Sequence, residues 1–207
     1  MALALAAALT AGCGGPVQRG APVSLHVSAA VSLTDALQKV AARWEQAGHG
    51  AVALNLAASN VLARQVLEGA PADVFLSADE AQMDRLVQSG DVDTGDRVDL
   101  LSNQLVVITP TGRTLRETLP AALAAVEAAN ADAGIVYRTD VVRHDAVTVA
   151  YAVPLADGPR IVYPAAIVKR TSNRAAAQAF LAFLQGSQAR AIFADEGFVP
   201  IGTAAAR

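Results

Sequence analysis

Two serines stand where their chemistry could extend beyond capping a helix. Ser32 and Ser59 each fall at the point where an apolar strand pattern gives way to a helical one. In open α/β sheets ligands bind at such strand-to-helix turns. A helix N-terminus there offers unpaired N–H groups and a positive potential that favours anions. A serine adds its hydroxyl to its own N–H. Two such turns facing one another would surround an oxyanion with neutral donors, which replace its lost water only if nearly every oxygen is satisfied. Taken singly, each serine reads as an ordinary N-cap, because serine is preferred at that position in any helix.

The other reactive residue types do not combine. His26, His49 and His144 lie far apart, with no HxH or HxxxH spacing, and read as surface or satisfied core histidines. No GxSxG nucleophile turn, GxGxxG fingerprint or P-loop occurs. Asp79 with Glu80 and Asp195 with Glu196 fall at helix ends, where charges face water. The expectation is therefore a binding protein and not an enzyme, with no cofactor and no resident metal. A net charge of −3 without a basic run argues against nucleic acid as a partner. With 53% hydrophobic but only 4% aromatic residues, the core must be packed mostly by alanine, valine and leucine.

The single cysteine, Cys13, excludes an intramolecular disulfide and a multi-cysteine zinc site. It follows MALALAAALT, Ala11 and Gly12, an apolar run too short to span a bilayer but suited to the core of a secretory signal. A cysteine just after small residues matches a bacterial lipoprotein signal. Residues 1–12 then read as the signal peptide, Cys13 as the lipidation site and 13–22 as a Gly/Pro-rich tether. The expected location is the periplasm or the outer face of the cell membrane. Two features depart from the pattern: no Lys or Arg precedes the run, and Thr10 stands where leucine is commoner. The alternative is a buried or free cysteine in an alanine-rich helix.

The elements that must position the serines alternate. Ser24 to Ser28 and Ala51 to Leu56 read as strands, each followed by a helix. Leu33, Ala36, Leu37, Val40, Ala41 and Trp44 form one apolar face of the first, which Ser32 and Asp35 would cap. Gly69 closes the second as a left-handed C-cap. Asp73 to Leu76 is a brief strand, and Ser77 with Glu80 reads as a capping box for a helix running to Gly90. Leu105 to Thr109, Gly134 to Tyr137, Val147 to Val153 and Ile161 to Val168 read as further strands. Helices are expected over Thr118 to Asn130, Asn173 to Gln185 and Ser187 to Asp195. Such alternation predicts an α/β fold with mostly parallel sheet.

Six segments in order carry a resemblance: AAVSLTDAL (Ala29 to Leu37), ASNVLARQVLEGAPADVFLSAD (Ala58 to Asp79), LSNQLVVITP (Leu101 to Pro110), ADAGIVYRTD (Ala131 to Asp140), IVYPAAIV (Ile161 to Val168) and AIFADEGF (Ala191 to Phe198). Together they resemble the periplasmic molybdate-binding proteins of molybdate ABC transporters. The resemblance implies a two-lobed periplasmic binding protein type II architecture that closes an anion, molybdate or tungstate, in its cleft. It implies a monomer that meets the membrane permease subunits of an ABC importer.

It also implies roles for four residues: Ser32 donating through hydroxyl and N–H, Ser59 as the second serine, Val136 through its N–H and Tyr163 through its hydroxyl. Residues 23–109, completed by 169–207, would form the first lobe and 110–168 the second. That second lobe is short, because a strand, a ligand loop and a helix of the family have no counterpart between Pro110 and the helix before ADAGIVY. Loss of a charged hydrogen bond costs about 1.5–3 kcal/mol, so weak binding is expected. The alternative is a non-binding lipoprotein remnant or interaction module.

Overall fold

The computed structural model describes residues 24–110, 133–142, 144–145 and 147–201. Cys13, the signal, the tether and the helix expected over Thr118 to Asn130 lie outside these residues.

The chain runs β1 (Leu25–Ala30), a 3₁₀ turn (Val31–Leu33), α1 (Thr34–Gln46), β2 (Val52–Ala57), α2 (Ser59–Leu67), β3 (Val74–Leu76), α3 (Glu80–Gln88) and β4 (Val92–Ser102). It continues through β5 (Leu105–Pro110), β6 (Gly134–Tyr137), a second 3₁₀ turn (Arg138–Asp140), β7 (Val147–Ala152) and β8 (Tyr163–Val168). The helices α4 (Arg174–Gln185) and α5 (Ser187–Asp195) and a short β9 (Val199–Pro200) follow. A six-stranded sheet has the order β2-β1-β3-β8-β4-β9, and a three-stranded sheet the order β6-β5-β7.

The large sheet is the middle of three layers. On one face Leu25, Val27, Val74, Leu76, Ala165 and Ile167 pack against α1, α4 and α5. On the other, Phe75, Ala166 and Val168 pack against Leu62, Ala63 and Val66 of α2 and Met83 and Leu86 of α3. Successive residues of β3 and β8 thus enter different cores, as the two-residue period of a strand requires. Aromatic packing gathers on Trp44, which meets Phe180 edge-on at 5.2 Å and stacks on His49 at 3.8 Å.

The structure departs from the sequence reading in three respects. The sheets are mixed, not mostly parallel: β1 pairs in parallel with β2 and β3, whereas β3–β8, β4–β8, β4–β9 and both pairs of the small sheet are antiparallel. The reason is that β4 leaves for the small sheet beside the point where β8 returns from it, with Leu101 opposite Tyr163. A departing strand and a returning neighbour must run in opposite directions.

The strands divide between the sheets at other points than the expected lobe bounds: β5 (Leu105–Pro110) pairs in the small sheet and β8 (Tyr163–Val168) in the large one. Finally, β4 carries Asp93, Asp96, Arg97 and Asp99, residues that disfavour a strand and hid it in the sequence. Lys169, Arg174, Asp84 and Arg160 supply opposite charges to them at 2.5–3.0 Å.

Asp73 ties this lobe together. It is 4% exposed, and its carboxylate accepts from the His26 N–H at 2.7 Å, from Asn173 Nδ2 at 3.3 Å and from the Thr171 hydroxyl. Three donors offset the cost of burying the charge.

Candidate functional site

Parallel pairing brings the two serine turns to one edge. Ala30 lies opposite Ala57 and Ala29 opposite Leu76, so β1, β2 and β3 end together. β8 runs antiparallel to β3, with Ala165 opposite Leu76, so it starts at that same edge. Tyr163 is therefore delivered to the edge where Ser32 and Ser59 sit. The Ser77 N–H donates to Pro164 O at 2.9 Å and fixes that alignment.

The serines do not cap their helices as the sequence suggested. Ser32 is exposed within the first 3₁₀ turn, and α1 starts only at Thr34, whose hydroxyl donates to Val31 O at 2.6 Å. Ser59 is the first residue of α2 and half-buried, and Ala58 precedes it as N-cap with no side-chain bond. The Ser59 Oγ instead accepts the Ala78 N–H at 3.0 Å. That bond uses a lone pair and leaves the hydroxyl hydrogen for another acceptor. Both helices thus begin without a side-chain cap at the candidate edge. At α3, by contrast, Asp79 caps through the Ala81 N–H at 2.8 Å, while the Ser77 hydroxyl donates to Asp79 O and accepts the Asp79 N–H. Ser77 builds a turn rather than the expected capping box.

Tyr163 is 6% exposed and packed edge-on to Phe198 at 5.3 Å. Its hydroxyl oxygen accepts from Asn103 Nδ2 at 3.5 Å, and the same amide donates to Thr139 Oγ1 at 3.0 Å. Thr139 lies three residues beyond Val136, in the second 3₁₀ turn. Val136 itself is half-buried in β6, opposite Val106 of β5. The Arg138 N–H donates to Gln104 O at 2.8 Å and holds the end of β6 against the crossing from β4 to β5.

A cavity of about 260 Å³ lies between the sheets, lined by Ala78, Asp79, Glu80, Tyr137, Arg160 and Val162 among others. Ala78 is the donor to Ser59, Tyr137 follows Val136 and Val162 precedes Tyr163. The neighbours of three candidate residues therefore share one cavity, and the neighbours of Ser32 do not line it. Arg160 is clamped there by both Glu80 oxygens, at 3.2 and 3.3 Å, and by Asp99 at 3.0 Å. The hydrogen bond and charge of Glu80 raise its pKa above the ordinary value. A guanidinium held by two carboxylates has its charge already answered, so Arg160 is spoken for before any anion arrives at this edge.

Asn103 and Arg160 were not singled out in the sequence. Asn103 lies between the charged β4, itself hidden in the sequence, and the apolar β5, a place where a polar residue reads as a solvated loop. Its burial to 1% exposure is a tertiary fact. Among the described residues no cluster of three or more His, Cys, Asp or Glu could hold a metal ion, and no helix is long and apolar enough to cross a membrane.

The profile of the family described as bacterial extracellular solute-binding protein matches residues 25–118 and 113–199. The molybdate-binding protein ModA of Escherichia coli (strain K12) is 32% identical, over 84% of this chain and 88% of its own. That alignment runs over 227 positions, more than the 207 residues here, so the relative carries sequence this chain lacks. A Bacillus subtilis (strain 168) protein described as an ABC transporter substrate-binding lipoprotein is 29% identical, over 85% of this chain and 86% of its own. A solved structure described as the substrate-binding domain of a molybdenum ABC transporter from Clostridium difficile superposes with a TM-score of 0.76. It is 26% identical and covers 86% of this chain and 99% of its own.

Proposed function

This chain belongs to the bacterial extracellular solute-binding protein family, and on that premise we propose that it captures molybdate or tungstate and presents it to the permease subunits of an ABC importer. The observation that carries this reading is the state of two hydroxyls at one sheet edge. Ser59 Oγ and Tyr163 OH each accept a hydrogen bond from an N–H, of Ala78 and Asn103 respectively. Each therefore has its own hydrogen available for an acceptor. A tetrahedral dianion only accepts, and suits a site built of such donors. Ser32 adds its hydroxyl and N–H, whereas the Val136 N–H, the donor implied by the resemblance, is directed at Val106 of β5, because hydrogen-bonded pairs alternate along an antiparallel ladder and Arg138 with Gln104 is one of them. The chain acts by binding, without catalysis.

The second lobe is shortened between Pro110 and Gly134. In support, the family profile matches in two pieces that meet at 113–118, and the Escherichia coli alignment is longer than the chain. One donor fewer leaves an anion oxygen poorly paired, which lowers affinity roughly tenfold or more. Export follows from the family, whose members are described as extracellular, and Cys13 is the lipid attachment point, a reading supported by the lipoprotein description of the Bacillus relative.

Thermal unfolding with and without molybdate tests the function, with tungstate alongside and sulfate as control. A ligand that binds only the folded state adds about 4 kcal/mol at a thousandfold excess over its dissociation constant. A molybdate- or tungstate-specific rise in melting temperature is expected. A cooperative transition that neither anion moves overturns the reading and leaves a non-binding remnant of the family. Ser32→Ala and Tyr163→Phe should each weaken binding, and unchanged affinity in both would remove them from the site.

A further inference from the structure

Asn103 and Gln104 are the two residues that carry the chain from β4 in the large sheet to β5 in the small one. Asn103 is 1% exposed, so its amide must find all its partners within the protein. Its Oδ1 accepts the Gln104 N–H at 2.8 Å. A backbone N–H only donates, so the amide atom facing it is the oxygen. The amide nitrogen is thereby turned toward Thr139 Oγ1 at 3.0 Å and Tyr163 OH at 3.5 Å.

That orientation has a chemical consequence. An amide nitrogen cannot accept, so the phenol oxygen of Tyr163 must, and the phenol hydrogen points away from Asn103. The Tyr163 ring is fixed edge-on against Phe198, which leaves rotation of the hydroxyl as its remaining freedom. Asn103 removes that freedom. The same amide holds Thr139, so the turn following Val136 is tied to the tyrosine. A second contact keeps that turn close: a Cβ on Gly197, which has φ +85°, would lie 2.7 Å from Val142 Cγ2 and 3.1 Å from Thr139 Cα.

We infer that Asn103 is the positioning residue of the anion site, presenting the Tyr163 hydroxyl as a donor and setting it in register with the Val136 segment across the crossing between lobes. The inference rests on the anion-binding reading above. A residue that merely braced the crossing would affect stability alone.

The test is a double-mutant cycle on the full chain, with molybdate affinity read by titration calorimetry and the melting temperature of each ligand-free protein recorded. The four proteins are the unaltered chain, Asn103→Ala, Tyr163→Phe and the double variant. Asn103→Ala should weaken binding about tenfold in the native background, the loss expected for one charge-assisted hydrogen bond. In the Tyr163→Phe background it should weaken binding less than about twofold, since coupled residues are not additive. Equal losses in both backgrounds, or no loss in the native one, overturn the inference. Should Asn103→Ala not fold, Asn103→Ser, which can still accept the Gln104 N–H, takes its place in the cycle. Failure of both to fold marks Asn103 as a folding residue and also overturns it. Absence of molybdate binding by the unaltered chain is a different failure, of the anion-binding reading itself, and this inference falls with it.

Discussion

In β8 of the large sheet, Ala165 and Ile167 enter one core while Ala166 and Val168 enter another, and every side chain of the strand is buried. β6 of the small sheet alternates differently: Ile135 and Tyr137 are each 44% exposed, and Val149 on β7 is 42% exposed. Among the described residues, the small sheet's fully buried apolar side chains are Val106 and Val107 of β5. Helices on both faces let the large sheet bury its strands completely. A three-stranded sheet with few buried side chains has little apolar area to offset its ordering entropy. The comparison teaches where the protein keeps its stability and where its adaptability lies: a rigid large sheet carries the edge with Ser32, Ser59 and Tyr163, and a lean small sheet carries Val136 to meet it.

Four substitutions break or sharpen that contrast. The single tryptophan, Trp44, lies in the large lobe, so its fluorescence reports that lobe alone, whereas far-UV circular dichroism reports both. Phe180→Ala, in the centre of the large core, should cost about 3–5 kcal/mol and lower the fluorescence and dichroism transitions together. A fall in dichroism alone would contradict the placement of stability in the large sheet. Asp73→Ala removes the buried acceptor shared by three donors and should cost about 2–4 kcal/mol in denaturant unfolding of the same lobe.

Gly197→Ala acts at the junction. A side chain at positive φ costs about 1–2 kcal/mol, and its Cβ would press on Val142 and Thr139. Molybdate affinity should fall by more than the melting temperature of the ligand-free chain would suggest. An unchanged affinity would show that the contact between Gly197 and the second 3₁₀ turn is irrelevant to the cleft. The smallest effect is expected from Ile135→Thr, an exposed β-branched residue replaced by another, at within about 0.5 kcal/mol by thermal unfolding. A larger loss would reveal that this face of the small sheet is covered.

Much of this was legible in the chain itself. Apolar periodicity placed α1 within a few residues, because a helix that buries one face repeats every three to four positions; α4 and α5 also fall within a residue of their expected bounds. Gly69 closes α2 as expected, with φ +92°. β4 escaped notice because its charges are satisfied by Lys169, Arg174, Asp84 and Arg160, residues distant in sequence. The capping readings of Ser32, Ser59 and Ser77 failed for a related reason. A serine before a helix can bond its own turn or a neighbouring strand end, and only the fold decides which, as Ser59 shows by accepting from Ala78.

Local pattern and composition alone determined the α/β class, the helix faces, the want of a nucleophile–base constellation in the motifs and the candidate serines, since each depends on residues near one another in the chain. Tertiary structure alone decided the antiparallel return of β8, the sheets to which β5 and β8 belong and the burial of Asn103 between Thr139 and Tyr163. The reason is physical: strand pairing and buried hydrogen bonds join residues 36 and 60 positions apart, and no local preference records which distant partner a polar group will find.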